Sequence, residues 1–88
     1  MNTIWKFPFK LEDGFTVEMP RGSKVLCAQM QRDFPCMWAL VSPASPMVDR
    51  VFKLAGTGHP ISEDTDDLRY ISTFQVQGLV FHLFEVIR

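Results

Sequence analysis

The stretch Leu68-Arg69-Tyr70-Ile71-Ser72-Thr73-Phe74-Gln75-Val76-Gln77-Gly78-Leu79-Val80-Phe81-His82-Leu83-Phe84-Glu85-Val86-Ile87 contains two extended segments and one turn. Leu68 to Gln75 and Leu79 to Ile87 are rich in β-branched and aromatic residues, which suit a pleated, half-buried surface. Between them Gln77-Gly78 supplies the glycine that a tight hairpin needs at positive φ. The segment predicts a terminal β-hairpin.

Working back towards the N-terminus, the same period of two recurs between turn formers. Gly56 to Asp67 is polar and non-periodic, the longest such stretch in the chain. Val48 to Leu54 is extended, and Ser42-Pro43-Ala44-Ser45-Pro46 is a loop, because its prolines fix φ and remove backbone donors. Cys36 to Val41 is apolar on both faces and predicts a central strand. Arg32-Asp33-Phe34-Pro35 reads as the turn before it. Ser23 to Gln31 is a longer strand with Val25, Cys27, Gln29 and Gln31 on one face and Leu26, Ala28 and Met30 on the other. Phe15, Val17 and Met19 alternate with Thr16 and Glu18. Ile4 to Phe9 places Trp5, Phe7 and Phe9 on one face, with Pro8 marking an edge or bend. The best helical candidate, Met47 to Leu54, lacks helical periodicity. The expectation is one all-β, mainly antiparallel domain over residues 1–88, a small seven-stranded sandwich or barrel.

Composition narrows the function classes. Nine basic and ten acidic residues give a formal charge of −1. Nucleic-acid binders usually carry a basic excess, so direct nucleic-acid binding is not expected from the total charge. Cys27 and Cys36 lack a metal-ligand spacing, and each lies in an apolar run. They read as reduced thiols packed like small hydrophobes, with a cross-hairpin disulfide as the alternative. Met1 to Lys6 has no basic segment ahead of an apolar one, and the longest apolar runs fall far short of a membrane span. A soluble protein of a reducing cytoplasm is expected, with no cofactor and no metal.

Three features invite a chemical reading. Gly56-Thr57-Gly58-His59-Pro60 offers two glycines for close backbone approach and a histidine, but it lacks the lysine and serine of a phosphate-binding P-loop, and no helix follows. Glu63, Asp64, Asp66 and Asp67 form an acidic run that does not match a calcium-binding loop and reads as a solvated, partner-facing segment. His82, flanked by Val80 and Phe84 on its own face, reads as a packed, hydrogen-bonded residue. No nucleophile motif surrounds any serine or cysteine. A non-enzyme is expected, with Gly56, Thr57, Gly58, His59, Glu63, Asp64, Asp66 and Asp67 as the ligand- or partner-binding loop. Unpaired strand edges also predict a possible homodimer.

Glu18-Met19-Pro20-Arg21-Gly22-Ser23-Lys24-Val25-Leu26, Pro35-Cys36-Met37-Trp38-Ala39-Leu40-Val41 and Gly56-Thr57-Gly58-His59-Pro60-Ile61 occur in that order, followed by Tyr70, Thr73-Phe74-Gln75 and Val80-Phe81-His82-Leu83-Phe84-Glu85. This set resembles a family of short uncharacterised proteins encoded by bacteriophages and bacterial prophages. The resemblance implies an accessory protein made in the host bacterial cytoplasm, and it carries over no catalytic residue. The expected role is binding to a host protein, a defence component such as a CRISPR complex. The alternative is sequestration of a nucleotide signal, with Gly56, Thr57, Gly58 and His59 meeting phosphate, Arg21, Lys24 and Arg50 converging in the fold, and Trp38 or Tyr70 stacking on a base. A hydrolase built on His59 or His82, and a structural virion component, are the weaker readings.

Overall fold

The computed structural model describes residues 1–87. Seven strands form two antiparallel sheets: β1 (Thr3–Pro8), β2 (Gly14–Pro20), β3 (Lys24–Gln31), β4 (Phe34–Val41), β5 (Met47–Gly56), β6 (Leu68–Val76) and β7 (Leu79–Val86). One sheet has the order β1-β4-β3, the other β2-β5-β7-β6. The domain is a sandwich and not a closed barrel. A single 3₁₀ turn over Thr65–Asp67 is the only helical element among the described residues.

Alternation dictates which residues meet between the sheets. Phe15, Val17 and Met19 point inward from β2, as their spacing predicts, and pack with Phe52 and Leu54 of β5. Met37 and Ala39 of the central strand β4 are fully buried opposite them. The aromatic residues join the two layers. Phe9 stacks on Phe15 with centroids 4.9 Å apart, Phe15 stacks on Phe52 at 5.6 Å, and Phe9 meets Phe74 edge-on at 6.3 Å. Such pairs add roughly 0.5–1.5 kcal/mol each beyond their burial.

Two sequence expectations change. In β3 the register slips between Val25 and Cys27, a bulge that leaves Leu26 outside at 44% exposure. Val25 therefore shares the inner face with Ala28 and Met30, while Cys27 joins Gln29 and Gln31 outside. An extra residue in one strand inverts the alternation beyond it, which a strict period of two does not anticipate. The second change is the β3–β4 turn. It contains only Arg32 and Asp33, and Phe34 already pairs with Gln31. Pro35 does not end the strand. It lies at the start of β4, where proline is tolerated in a sheet, and its carbonyl accepts from the Phe9 amide at 3.0 Å.

β6 has its own bulge between Tyr70 and Ser72. The edges of β3 and β6 meet at this corner, where the buried Ser72 hydroxyl donates to the Ala28 carbonyl at 2.7 Å. Inside the same end of the sandwich, Arg50 of β5 pairs with the buried Glu85 of β7 through Nε and through Nη2 at 2.8 Å. Its Nη1 donates to the Ser23 carbonyl at 2.8 Å. This hydrogen-bonded pairing with Glu85 holds the guanidinium above its ordinary range, against the opposing effect of burial. Cys27 and Cys36 are both free thiols on the outer face of the three-stranded sheet.

Candidate functional site

β5 ends at Gly56, which pairs with Phe81, whereas β6 begins at Leu68, which pairs with Val86. The connection from residue 57 to residue 67 therefore runs from one end of the four-stranded sheet to the other. It passes over the outer face. Ala55 points outward beside His82 yet is only 6% exposed, and Lys53, on the same face, has its Nζ 3.9 Å from the Glu63 carboxylate. The sequence-predicted loop residues thus belong to one strap, with Gly56, Thr57, Gly58 and His59 at one end and Glu63, Asp64, Asp66 and Asp67 at the other.

Both ends of the strap are fixed. At the first, the Thr57 amide donates to Val80 at 3.1 Å and the His59 amide to Gly56 at 3.0 Å. Gly58 has φ +88°, a left-handed conformation that favours glycine. Gly56 gives the His59 ring room: a Cβ there would stand 3.0 Å from Nδ1 of His59, so the exposed ring would have to shift slightly. At the second end, the Asp64 side chain accepts from the Asp66 amide and its carbonyl from the Asp67 amide at 2.9 Å. The Ile87 amide then closes on the Asp67 carbonyl at 2.8 Å.

A polar chain ties the strap to the sheet. Thr57 Oγ1 lies 2.7 Å from Nε2 of His82, whose Nδ1 lies 3.0 Å from Thr73 Oγ1. Thr73 Oγ1 is in turn 2.8 Å from the Tyr70 hydroxyl. Either neutral tautomer of His82 is satisfied, because each threonine hydroxyl both donates and accepts. His82 is hydrogen-bonded through both ring nitrogens and lies on the outer face of the four-stranded sheet. The Tyr70 ring packs edge-on against Phe84 at 5.9 Å and stays 58% exposed. Thr73 was not legible as a site residue. Its signal is positional, since it pairs directly with His82 across β6 and β7.

Replacing His82 with alanine is expected to loosen the strap more than the fold. Two hydrogen bonds on an accessible face contribute about 0.5–1.5 kcal/mol each. Hydrogen exchange should show faster amide exchange from Gly58 to Ile61, with core strands protected as before. Unchanged exchange in that segment would mean the strap is held by its backbone bonds alone.

This arrangement suits contact with a surface better than phosphate capture. The amides of Thr57 and His59, which a phosphate cradle would use, are already committed within the protein. Among the described residues, no three of His, Cys, Asp and Glu converge to hold a metal ion. No described helix is long and apolar enough to cross a membrane.

The basic residues converge elsewhere. Lys24 and Arg50 line a cleft of about 260 Å³ with Arg69, Tyr70 and Glu85, and Arg21 does not line it. This cleft is at the β3–β6 corner, the opposite end of β5 from Gly56. Trp38 lies on the other sheet and shares no site with Tyr70. A further cavity of about 640 Å³ was not expected from the sequence. It lies on the outer face of the three-stranded sheet, lined by Lys6, Pro8, Gln31, Arg32, Phe34 and Cys36.

No curated protein and no solved structure is matched by the chain. The family described as Domain of unknown function (DUF7352) matches over residues 1–88, and the chain belongs to that family.

Proposed function

We propose that the chain is a small phage-encoded accessory protein that acts by binding, as a non-enzymatic inhibitor of a host defence protein such as a CRISPR complex. The observation that carries the binding role is the Thr57–His82–Thr73–Tyr70 chain. It holds an exposed aromatic residue and an acidic strap in one ordered surface. Asp66 and Asp67 precede Tyr70 by four and three residues, at the end of the strap where β6 begins. Ordering a surface before contact lowers the entropy cost of association, and tyrosine is a frequent anchor of binding energy. The phage origin rests on the sequence resemblance, and the defence target on that resemblance together with the lack of a catalytic motif in the sequence. The partner surface complementary to Asp64, Asp66 and Asp67 is basic.

Association kinetics test this reading. Reversing Asp64, Asp66 and Asp67 to lysine should slow association about tenfold at low salt with little change in dissociation, because rim charges act on encounter. Tyr70→Ala should instead speed dissociation. A partner bound equally well by both variants would show that this surface is not the interface.

A second reading has one observation in its favour. Lys24 and Arg69 beside Tyr70 line a cleft in which a nucleotide signal would find two phosphate donors and an aromatic ring, the Arg50 guanidinium there being engaged by Glu85 and the Ser23 carbonyl. A cyclic nucleotide that raises the melting temperature by several degrees, and fails to do so with Arg69→Glu, would favour sequestration over protein binding.

A further inference from the structure

The outer face of the three-stranded sheet differs in charge from the rest of the molecule. The chain has ten carboxylates, yet β1, β3 and β4 carry none, and Asp33 in the hairpin turn is the only one adjoining them. Lys6 of β1 and Lys24 of β3 lie on the outer face, placed there by their pairing with Trp38 and Leu40. Arg32 adds a third cation at the turn. The near-neutral total therefore conceals a segregated charge, with the acidic strap on one sheet and a cationic face on the other.

Aromatic side chains accompany these cations. Phe34 is 69% exposed, and Trp38 is half-buried beside Lys6. Both are on the outer face of β4, four residues apart, which is about 13 Å at ~3.3 Å per residue. The cavity of about 640 Å³ opens between Phe34, Pro8, Lys6 and Arg32. Lys6 is held across it by a 2.7 Å bond from Nζ to the Gln31 side-chain oxygen. Arg32 occupies a left-handed conformation with φ 57°, which is uncommon for residues other than glycine, asparagine and aspartate. The fold thus tolerates a strained arginine at the rim of this cavity.

We infer that this face binds single-stranded nucleic acid. A phosphate backbone meets Lys6, Arg32 and Lys24, and unstacked bases stack on Phe34 and Trp38. This pairing of a cationic track with spaced aromatic rings suits single strands, because every base has a face to stack while a duplex hides it. Lys24 also lines the cleft beside Tyr70, but Lys6, Arg32, Phe34 and Trp38 lie on the other sheet from the strap, so this face extends the proposed function without depending on it.

Fluorescence anisotropy of a labelled single-stranded oligonucleotide of about 10 nucleotides tests the inference. Three cations predict a slope of log K against log salt near −2, at about −0.7 per phosphate contact. Phe34→Ala should weaken binding about tenfold or more. Arg32→Gly should flatten the salt slope by about 0.7, and it keeps the fold because it relieves the left-handed strain. No anisotropy change at protein concentrations up to about 10⁻⁴ M, the weak end of non-specific affinities, would overturn the inference. So would equal affinity for a free mononucleotide, duplex binding as tight as single-strand binding, or sedimentation of a homodimer that Phe34→Ala returns to monomer.

Discussion

Arg50→Ala is expected to be among the most destabilising single changes in the domain, costing about 3–5 kcal/mol, a large part of the stability a domain of this size has. The cost arises from what the substitution leaves behind. Glu85 points inward from β7 with its side chain only 7% accessible, and Arg50 is its ion-pair partner. Removing Arg50 leaves a buried carboxylate without its partner, with Lys24 and Arg69 lining the same cleft but neither paired with it. It also leaves the Ser23 carbonyl without its donor. The pair itself is not a net source of stability, since desolvating two charges offsets most of their attraction. Arg50→Met combined with Glu85→Leu should therefore recover most of the loss. Urea midpoints of the single and double variants decide the matter. A single-variant cost below about 1 kcal/mol would mean that water reaches Glu85 through the β3–β6 corner. Because the guanidinium is held above its ordinary range, its contribution is present at neutral pH and is lost only as pH rises far into the alkaline range.

Phe52→Ala should cost a comparable 3–5 kcal/mol by a different mechanism. Phe52 is fully buried at the centre of the four-stranded sheet, stacked against Phe15, which stacks on Phe9. Truncation removes transfer energy and leaves a cavity that strands paired on both sides cannot close. Phe52→Leu keeps most of the volume and should cost less than half as much. Equal losses for the two variants would point to backbone disruption instead of a cavity. In a domain of this size either large change consumes much of the expected stability.

How much of this was legible beforehand depends on whether a feature is local. The terminal hairpin was legible because its turn chemistry and its period of two agree. Gln77 and Gly78 have φ 50° and 86°, as a two-residue hairpin turn demands. The inward face of β2 and the central position of β4 were legible for the same reason. The bulge at Leu26 was not, since it answers to the meeting of β3 with β6, residues far apart in the chain. Pro35 misled because proline usually punctuates turns, whereas here it sits where a strand tolerates it. Of the site, the loop residues were visible as a group, yet their path over the outer face depends on the crossover from β5 to β6. Glu85 carried a readable signal, a charge at an inward alternating position after Phe81 and Leu83, which calls for a buried partner. Its partner Arg50 is 35 positions away and no spacing rule connects them. The cationic face is hidden from a total charge because only topology brings Lys6, Lys24 and Arg32 to one side.

The central claim is that the chain works by docking a protein on its strap and Tyr70. Native mass spectrometry of the tagged chain, captured gently from a bacterial host lysate, tests this most directly. The expected result is one stoichiometric host protein in the complex, lost when Asp64, Asp66 and Asp67 are reversed and retained with Phe34→Ala. A chain that carries only a small additional mass, or a partner kept by the reversed variant, would contradict it.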